Sequence, residues 1–209
     1  IVALVTPMHE DGSLDLEALG RLVDFHAGAG TSAVVIAGTT GESPCITAGE
    51  LDSMLRTALE AASGRLAVIA GTGSNATAHA VELTAAAARA GAAAALVVTP
   101  YYNKPTQQGL FLHYRAVARD GGLPVILYNV PGRTACDLLP ETVARLAEVE
   151  GIVGIKEAVP GTERVTRLRA LLGDRLDLLS GDDATAMDFL LAGGDGVISV
   201  TANVAPRLM

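Results

Sequence analysis

The sequence predicts a closed barrel of eight parallel strands, each followed by a helix: a (β/α)8 TIM barrel. Three observations carry that prediction. Eight short apolar runs, many of them β-branched, begin at intervals of 19 to 33 residues. Their apolar character is nearly continuous rather than alternating, which marks strands covered on both faces, as in a parallel sheet. Each gap between them carries an amphipathic stretch, and strict strand–helix alternation builds right-handed crossovers. An open, doubly wound sheet fits the same alternation, but eight units in a row favour closure.

The first strand is read in IVALVTP from Ile1, and LDLEALGRLVDFHAGAG follows it, ending in glycines as a helix C-terminus tends to. AVVIAG from Ala33 is the second strand. The next helix, TAGELDSMLRTALEAASG, opens with Thr47 and Glu50 at capping-box spacing. LAVIAGTG from Leu66 leads through TAHAVELTAAAARAG to AALVVTP from Ala94. QGLFLHYRAVARDGG connects to PVILYNVP from Pro124, and PETVARLAEVEG to IVGIKEA from Ile152. TERVTRLRALLGD and ATAMDFLLAGG then bracket DLLSGDD from Asp177, and GVISVTANV from Gly196 is the eighth strand. Only APRLM remains, so the eighth helix is expected to be missing. No linker divides the chain, which reads as one domain over residues 1–209, cut short at its C-terminus. The absence of an initiator Met likewise points to lost N-terminal residues.

Composition narrows the partners. Half of the 209 residues are hydrophobic and 18% are charged, enough apolar mass for a packed interior. Aromatics are only 3%, so Ala, Val, Leu and Ile must fill the core. A net charge of −8 argues against nucleic acid, which needs clustered Lys and Arg. Cys45 and Cys136 are too few for a disulfide framework and lack zinc-ligand spacing, so a cytoplasmic home is expected. No apolar run approaches the ~20 residues of a membrane span, and no signal peptide is expected.

Active sites of such barrels gather at the C-terminal strand ends. The polar residues there include Thr6, Thr39, Thr40, Glu42, Thr72, Asn75, Thr99, Tyr101, Tyr102, Asn103, Tyr128, Asn129, Arg133, Lys156, Glu157, Ser180, Asp182, Asp183, Ser199, Thr201 and Asn203. Lys156 stands out. Of 15 basic residues only Lys104 and Lys156 are lysines, and Lys156 sits in the apolar run Ile152–Ile155. Burial disfavours the ammonium and frees the amine for a carbonyl substrate. An ion pair with Glu157 is the plain alternative, but adjacent strand residues face opposite sides. A phosphate grip is the other alternative, and no phosphate loop accompanies the lysine. Tyr128 ends the preceding strand, placed either to shuttle protons beside the amine or to pack as an ordinary core phenol. Gly38-Thr39-Thr40-Gly41-Glu42 is a tight turn whose amides and hydroxyls suit a carboxylate.

Other patterns lead nowhere. Gly71-Thr72-Gly73-Ser74-Asn75-Ala76 imitates a dinucleotide loop, but the next strand ends without the acidic residue such a site needs. Gly41-Glu42-Ser43-Pro44-Cys45 lacks the last glycine of a hydrolase elbow. His9, His26, His79 and His113 share no ligand spacing, and no metal site is expected.

GTTGES, VIAGTGSNAT, VTPYYNKP, ILYNVPGRT, GIKEA and LLSGDD occur in the order found in one family. Over essentially its whole length the chain resembles the dihydrodipicolinate synthase and N-acetylneuraminate lyase family, and its synthase branch in particular. The resemblance implies a pyruvate imine on Lys156, with no metal or organic cofactor. It implies a proton relay of Tyr128, Thr39 and Tyr102, and a pyruvate carboxylate held by Thr40. Gly181 and Ile198 would line the pyruvate pocket. Arg133, which the sugar-acid lyases lack, would grip the carboxylate of aspartate semialdehyde on the way to diaminopimelate and lysine. Tyr102 would cross into a neighbouring subunit, implying a homo-oligomer, usually a dimer of dimers.

Two departures stand against the pattern. Lysine-inhibited members hold the effector near the equivalents of Ser43, Asn75 and Tyr101; here Ala48, Leu51 and His79 replace the expected His and Glu, so weak or absent lysine feedback is expected. The helical C-terminal extension of the family is also expected to be missing. A keto-acid sugar lyase and a non-catalytic paralogue are the competing readings.

Overall fold

Val, Ile, Leu and Ala runs buried on both faces extend because β-branched side chains pack well on a pleated surface. In the computed structural model, which describes residues 1–209, they form one eight-stranded parallel sheet in sequence order. The strands are β1 (Val2–Ala3), β2 (Ala33–Ile36), β3 (Ala67–Gly71), β4 (Ala94–Val98), β5 (Val125–Asn129), β6 (Ile152–Glu157), β7 (Asp177–Ser180) and β8 (Gly196–Val197). A parallel bridge between Val2 and Ser199 joins the last strand to the first. Ala3 N–H donates to Ser199 C=O at 2.8 Å, and Ser199 N–H donates to Ile1 C=O at 3.0 Å. The sheet closes into a barrel, as the alternation of the sequence predicts.

The helices α1 (Leu16–Ala29), α2 (Ala48–Ala62), α3 (Thr77–Ala90), α4 (Gln107–Asp120), α5 (Pro131–Thr134), α6 (Pro140–Leu146), α7 (Glu163–Leu172) and α8 (Ala186–Leu191) fill the gaps between strands. The capping box at α2 forms as expected: Glu50 N–H donates to Thr47 Oγ1, and Thr47 N–H donates to Glu50 Oε2. Gly30 and Gly91 close α1 and α3 in the left-handed conformation. No helix is long and apolar enough to cross a membrane.

Side-chain alternation along the strands sorts the interior into layers. Val34, Ile36, Val97, Leu127 and Ile155 face the helices, in two large clusters. Ala3, Val35, Ile69, Leu96, Ile126, Tyr128, Leu179 and Ile198 form a third cluster that fills the lumen. The end strands are shorter than the sequence suggests. Leu4 N–H still donates to Val35 C=O at 3.1 Å, after which the chain leaves the ladder and Val5 N–H instead meets Asn203 Oδ1 at 3.1 Å. After Ser199, Thr201–Asn203 turns as a short 3-10 helix. In both places polar side chains from other tips supply the partners that a longer ladder would have given.

Candidate active site

Lys156 enters the lumen from β6, between Ile155 and Glu157, which face the helix layer. Its side chain is 4% exposed and lies along Gly181, where an added Cβ would stand 2.9 Å from Lys156 Cε. Glycine there is a steric requirement: any side chain would displace the lysine stem. Burial lowers the pKa of the amine to about 8; nearby Asp183 opposes this and Arg133 adds to it. The amine enters no ion pair with Glu157, which lies beside Arg164 instead, at 3.9 Å.

Tyr128 pairs with Lys156 across β5 and β6, and the amine nitrogen sits 4.4 Å from the centre of its ring. Burial raises the phenol's pKa, while the Thr39 side chain and the positive charge of Arg133 work against that rise. Thr39 belongs to the glycine-bounded turn after β2, where Glu42 and Ser43 N–H donate to Thr39 and Gly38 C=O. Gly41 is pressed against the Leu4 carbonyl, 2.9 Å from where a Cβ would sit, so this turn too tolerates nothing larger. Thr40 is half-buried on the same turn.

Thr39 and Arg133 line a cavity of about 250 Å³ together with Ser43, Val98, Tyr101 and Val130. Arg133 is exposed on α5, a single turn started by Pro131. Ile198 is 1% exposed and packs in the lumen cluster with Tyr128. Tyr102 is set apart from this group: it is 86% exposed, with a left-handed φ of +75°. Of the six non-glycine residues with positive φ, Ala37, Glu42, Tyr102, Lys104 and Ala135 all lie in loops after strands β2, β4 and β5. Strained backbone of this kind concentrates where function over-determines the conformation.

Not every polar residue at a strand tip faces the lumen. Asn129 and Glu157 alternate outward and bond to each other. Thr72 also turns out, to Thr84 on α3 at 2.7 Å. Thr99 meets Thr134 at 3.2 Å, steadying the segment that carries Arg133. Asp137 and Arg164, which hold the far end of that segment, gave no signal in the sequence. Three larger depressions, one beside α1 near Val204–Leu208, one beside α4 and one around Ile1, Gly30 and Gly196, lie away from the Lys156–Tyr128 pair.

The decisive comparison is with family models. Residues 1–209 match the dihydrodipicolinate synthetase family throughout. The chain belongs to that family. It is 60% identical over 207 residues to the 4-hydroxy-tetrahydrodipicolinate synthase of Nitrosococcus oceani, covering 99% of this chain and 71% of the relative. It is 61% identical over 209 residues to the synthase of Methylococcus capsulatus, covering all of this chain and 72% of that one. Among solved structures, the chloride-inhibited dihydrodipicolinate synthase of Acinetobacter baumannii complexed with pyruvate superposes with a TM-score of 0.98 at 50% identity, covering 100% of this chain and 72% of the other. A synthase described as the first monomeric variant matches with a TM-score of 0.94 at 44% identity, over 99% of this chain and 70% of its own.

Proposed function

We propose that the chain is a lyase that condenses pyruvate with aspartate semialdehyde, forming 4-hydroxy-tetrahydrodipicolinate in the synthesis of diaminopimelate and lysine. One observation carries this reading: the 4%-exposed Lys156 amine rests 4.4 Å from the centre of the Tyr128 ring, in a lumen where no carboxylate is ion-paired to it. An amine with a pKa near 8 is free often enough at neutral pH to attack a ketone. Addition to the pyruvate carbonyl and loss of water give the imine. Its positive nitrogen then draws electrons from the methyl carbon, so a methyl proton leaves and an enamine forms. The enamine carbon attacks the aldehyde, and the new alkoxide takes up a proton. The amino group of the semialdehyde then adds to the imine carbon, closing the ring, and the Lys156 amine leaves with a proton, free for the next turnover.

Tyr128 is placed to carry those protons, with Thr39 beside its hydroxyl and Tyr102 completing the relay. Thr40 holds the carboxylate of pyruvate against the turn, while Gly181 and Ile198 shape the pocket around its methyl and carbonyl. Arg133 offers the second substrate's carboxylate a planar fork bound by no protein acid. The lysine itself supplies the electron sink, so the chemistry needs neither metal nor organic cofactor.

The exposure of Tyr102 and the strain of its backbone support a role across a subunit boundary, hence a homo-oligomer, a dimer of dimers. Solution scattering that found a fully active monomer would remove this part. The substrates and route fit a cytoplasmic enzyme, with no nucleic-acid or membrane partner.

The test is borohydride reduction in the presence of pyruvate, read by mass spectrometry. A stable adduct on Lys156 is expected, with none on Lys156→Ala. Its initial rate should rise about tenfold per pH unit up to about pH 8 and then level off, as the amine loses its proton. Turnover of N-acetylneuraminate in preference to aspartate semialdehyde would replace this reading with that of a sugar-acid lyase.

A further inference from the structure

Directly behind the Tyr128–Lys156 pair, the same strand tips carry a polar cluster that the proposed reaction does not use. Asn129 and Glu157 follow the pair by one residue and are themselves in register. Alternation sends them into the helix layer, where Asn129 is 0% exposed and Glu157 1%. Asn129 Nδ2 donates to both Glu157 oxygens at 3.1 Å and to Asp137 Oδ1 at 2.9 Å. Its Oδ1 accepts from Leu138 N–H at 2.9 Å. Arg164 on α7 donates to Asp137 at 2.8 and 2.6 Å, and Gln107 Nε2 on α4 donates to the Asp137 carbonyl at 2.7 Å.

The connectivity of these bonds is what matters. Asn129 is the last residue of β5, and Asp137 and Leu138 end the excursion that begins at Val130. One buried amide therefore fastens both ends of the segment whose crest is α5 and Arg133. Because the Asn129 amide nitrogen faces three carboxylate oxygens, its oxygen is left to point at Leu138. The Arg164–Asp137 contacts are charge-assisted, with the arginine only 15% exposed, so they resist solvent competition. Arg133 itself has no such anchor and depends on the set of its segment.

We propose that Asn129, Asp137 and Arg164 are positioning residues for Arg133, holding the Val130–Leu138 segment so that the guanidinium stands over the lumen at the range a second carboxylate substrate requires. This rests on the reading of Arg133 as the carboxylate grip. The cluster acts on the second substrate and leaves the pyruvate step alone, because Lys156 and Tyr128 sit on the opposite face of the strands.

Two variants test it, Asp137→Ala and the partly solvent-facing Arg164→Gln, so that a folding failure in the first still leaves a measurement. In each, hydrogen exchange of the 130–138 segment should quicken by about tenfold, while the turn after β2 exchanges as before. The KM for aspartate semialdehyde should rise by about tenfold or more, with that for pyruvate and the yield of the borohydride-trapped adduct within about twofold of the parent. Unchanged exchange in this segment overturns the proposal. So does a KM that rises equally for both substrates, or an adduct lost in step with turnover. A parent enzyme that forms no adduct defeats the reading of Lys156 instead, and the exchange measurement still decides whether the cluster holds the segment.

Discussion

Two buried polar pairs sit back to back at the tips of β5 and β6, and they are built to opposite rules. Outside, Asn129 and Glu157 are saturated: amide, backbone N–H, arginine and second carboxylate all find partners. Inside, the Lys156 amine has an aromatic face and no ion pair, with only the Thr39 side chain on the Tyr128 phenol and the charges of Asp183 and Arg133 nearby. Burial displaces the pKa on both faces, but a polar group that is fully bonded stiffens the structure, whereas one left short of partners is free to react. One step along the chain separates scaffold from chemistry.

The largest effect should come from the inner pair. Lys156→Ala is expected to cut turnover by about ten-thousandfold or more while the protein stays folded, since the amine is in no ion pair and only the nearby charge of Asp183 loses a neighbour. Tyr128→Phe should lower kcat by about a hundredfold and leave the trapped pyruvate adduct detectable. If either change unfolds the protein, the inner pair is structural and the contrast fails.

The outer pair should answer in stability. Asn129→Ala leaves the Leu138 amide and two carboxylates short of partners, and about 3 kcal/mol of unfolding free energy should be lost in urea titrations. A loss below about 0.5 kcal/mol would show that solvent replaces those bonds.

Acid brings the outer pair into conflict with a histidine on α4. Burial raises Glu157 from 4.5 to about 7, despite the Asn129 hydrogen bonds. Its stabilising proton is fully bound below pH 4.5 and is lost as pH rises through 7. Burial lowers His113 from 6.5 to about 4, and its Nε2 has no partner. Below pH 6.5 the unfolded chain takes up the histidine proton first, so this site loses stability on acidification down to about 4. Each swing is on the order of 3 kcal/mol, and being opposite they should cancel to about 1 kcal/mol between pH 7 and 4.5. Glu157→Gln should unmask the histidine slope in denaturation curves across that range; curves as flat as the parent's would refute the opposition. The smallest effect is expected far from both pairs. Thr47→Ala removes the α2 cap for about 1 kcal/mol of stability without changing turnover.

Much of this contrast was legible in the residues alone. A lone lysine among aliphatics stood out because little else in that run could be charged, and two-residue alternation already separated Lys156 from Glu157. The same alternation places Asn129 with Glu157, yet position at a strand tip drew attention first. Strand number followed from the apolar runs; the lengths of β1 and β8 did not, because Asn203, far away in sequence but at the neighbouring tip, supplies a bond that a longer ladder would have made. Asp137 and Arg164 stand 27 residues apart and look like ordinary surface charges in the chain. Only the folded barrel brings them to one asparagine.

The Val2–Ser199 seam also bears on how the protein comes into being. It joins β1 to the residues just after β8, the strand pairing most separated in sequence, so its closure carries the greatest loop entropy of the barrel's ladders and belongs late on the folding route. Until that ring shuts, Ile198 cannot wall the lumen and the Lys156 amine stays in contact with water, in its protonated form. On the proposed mechanism, an unclosed barrel therefore cannot take up pyruvate until its circle is complete.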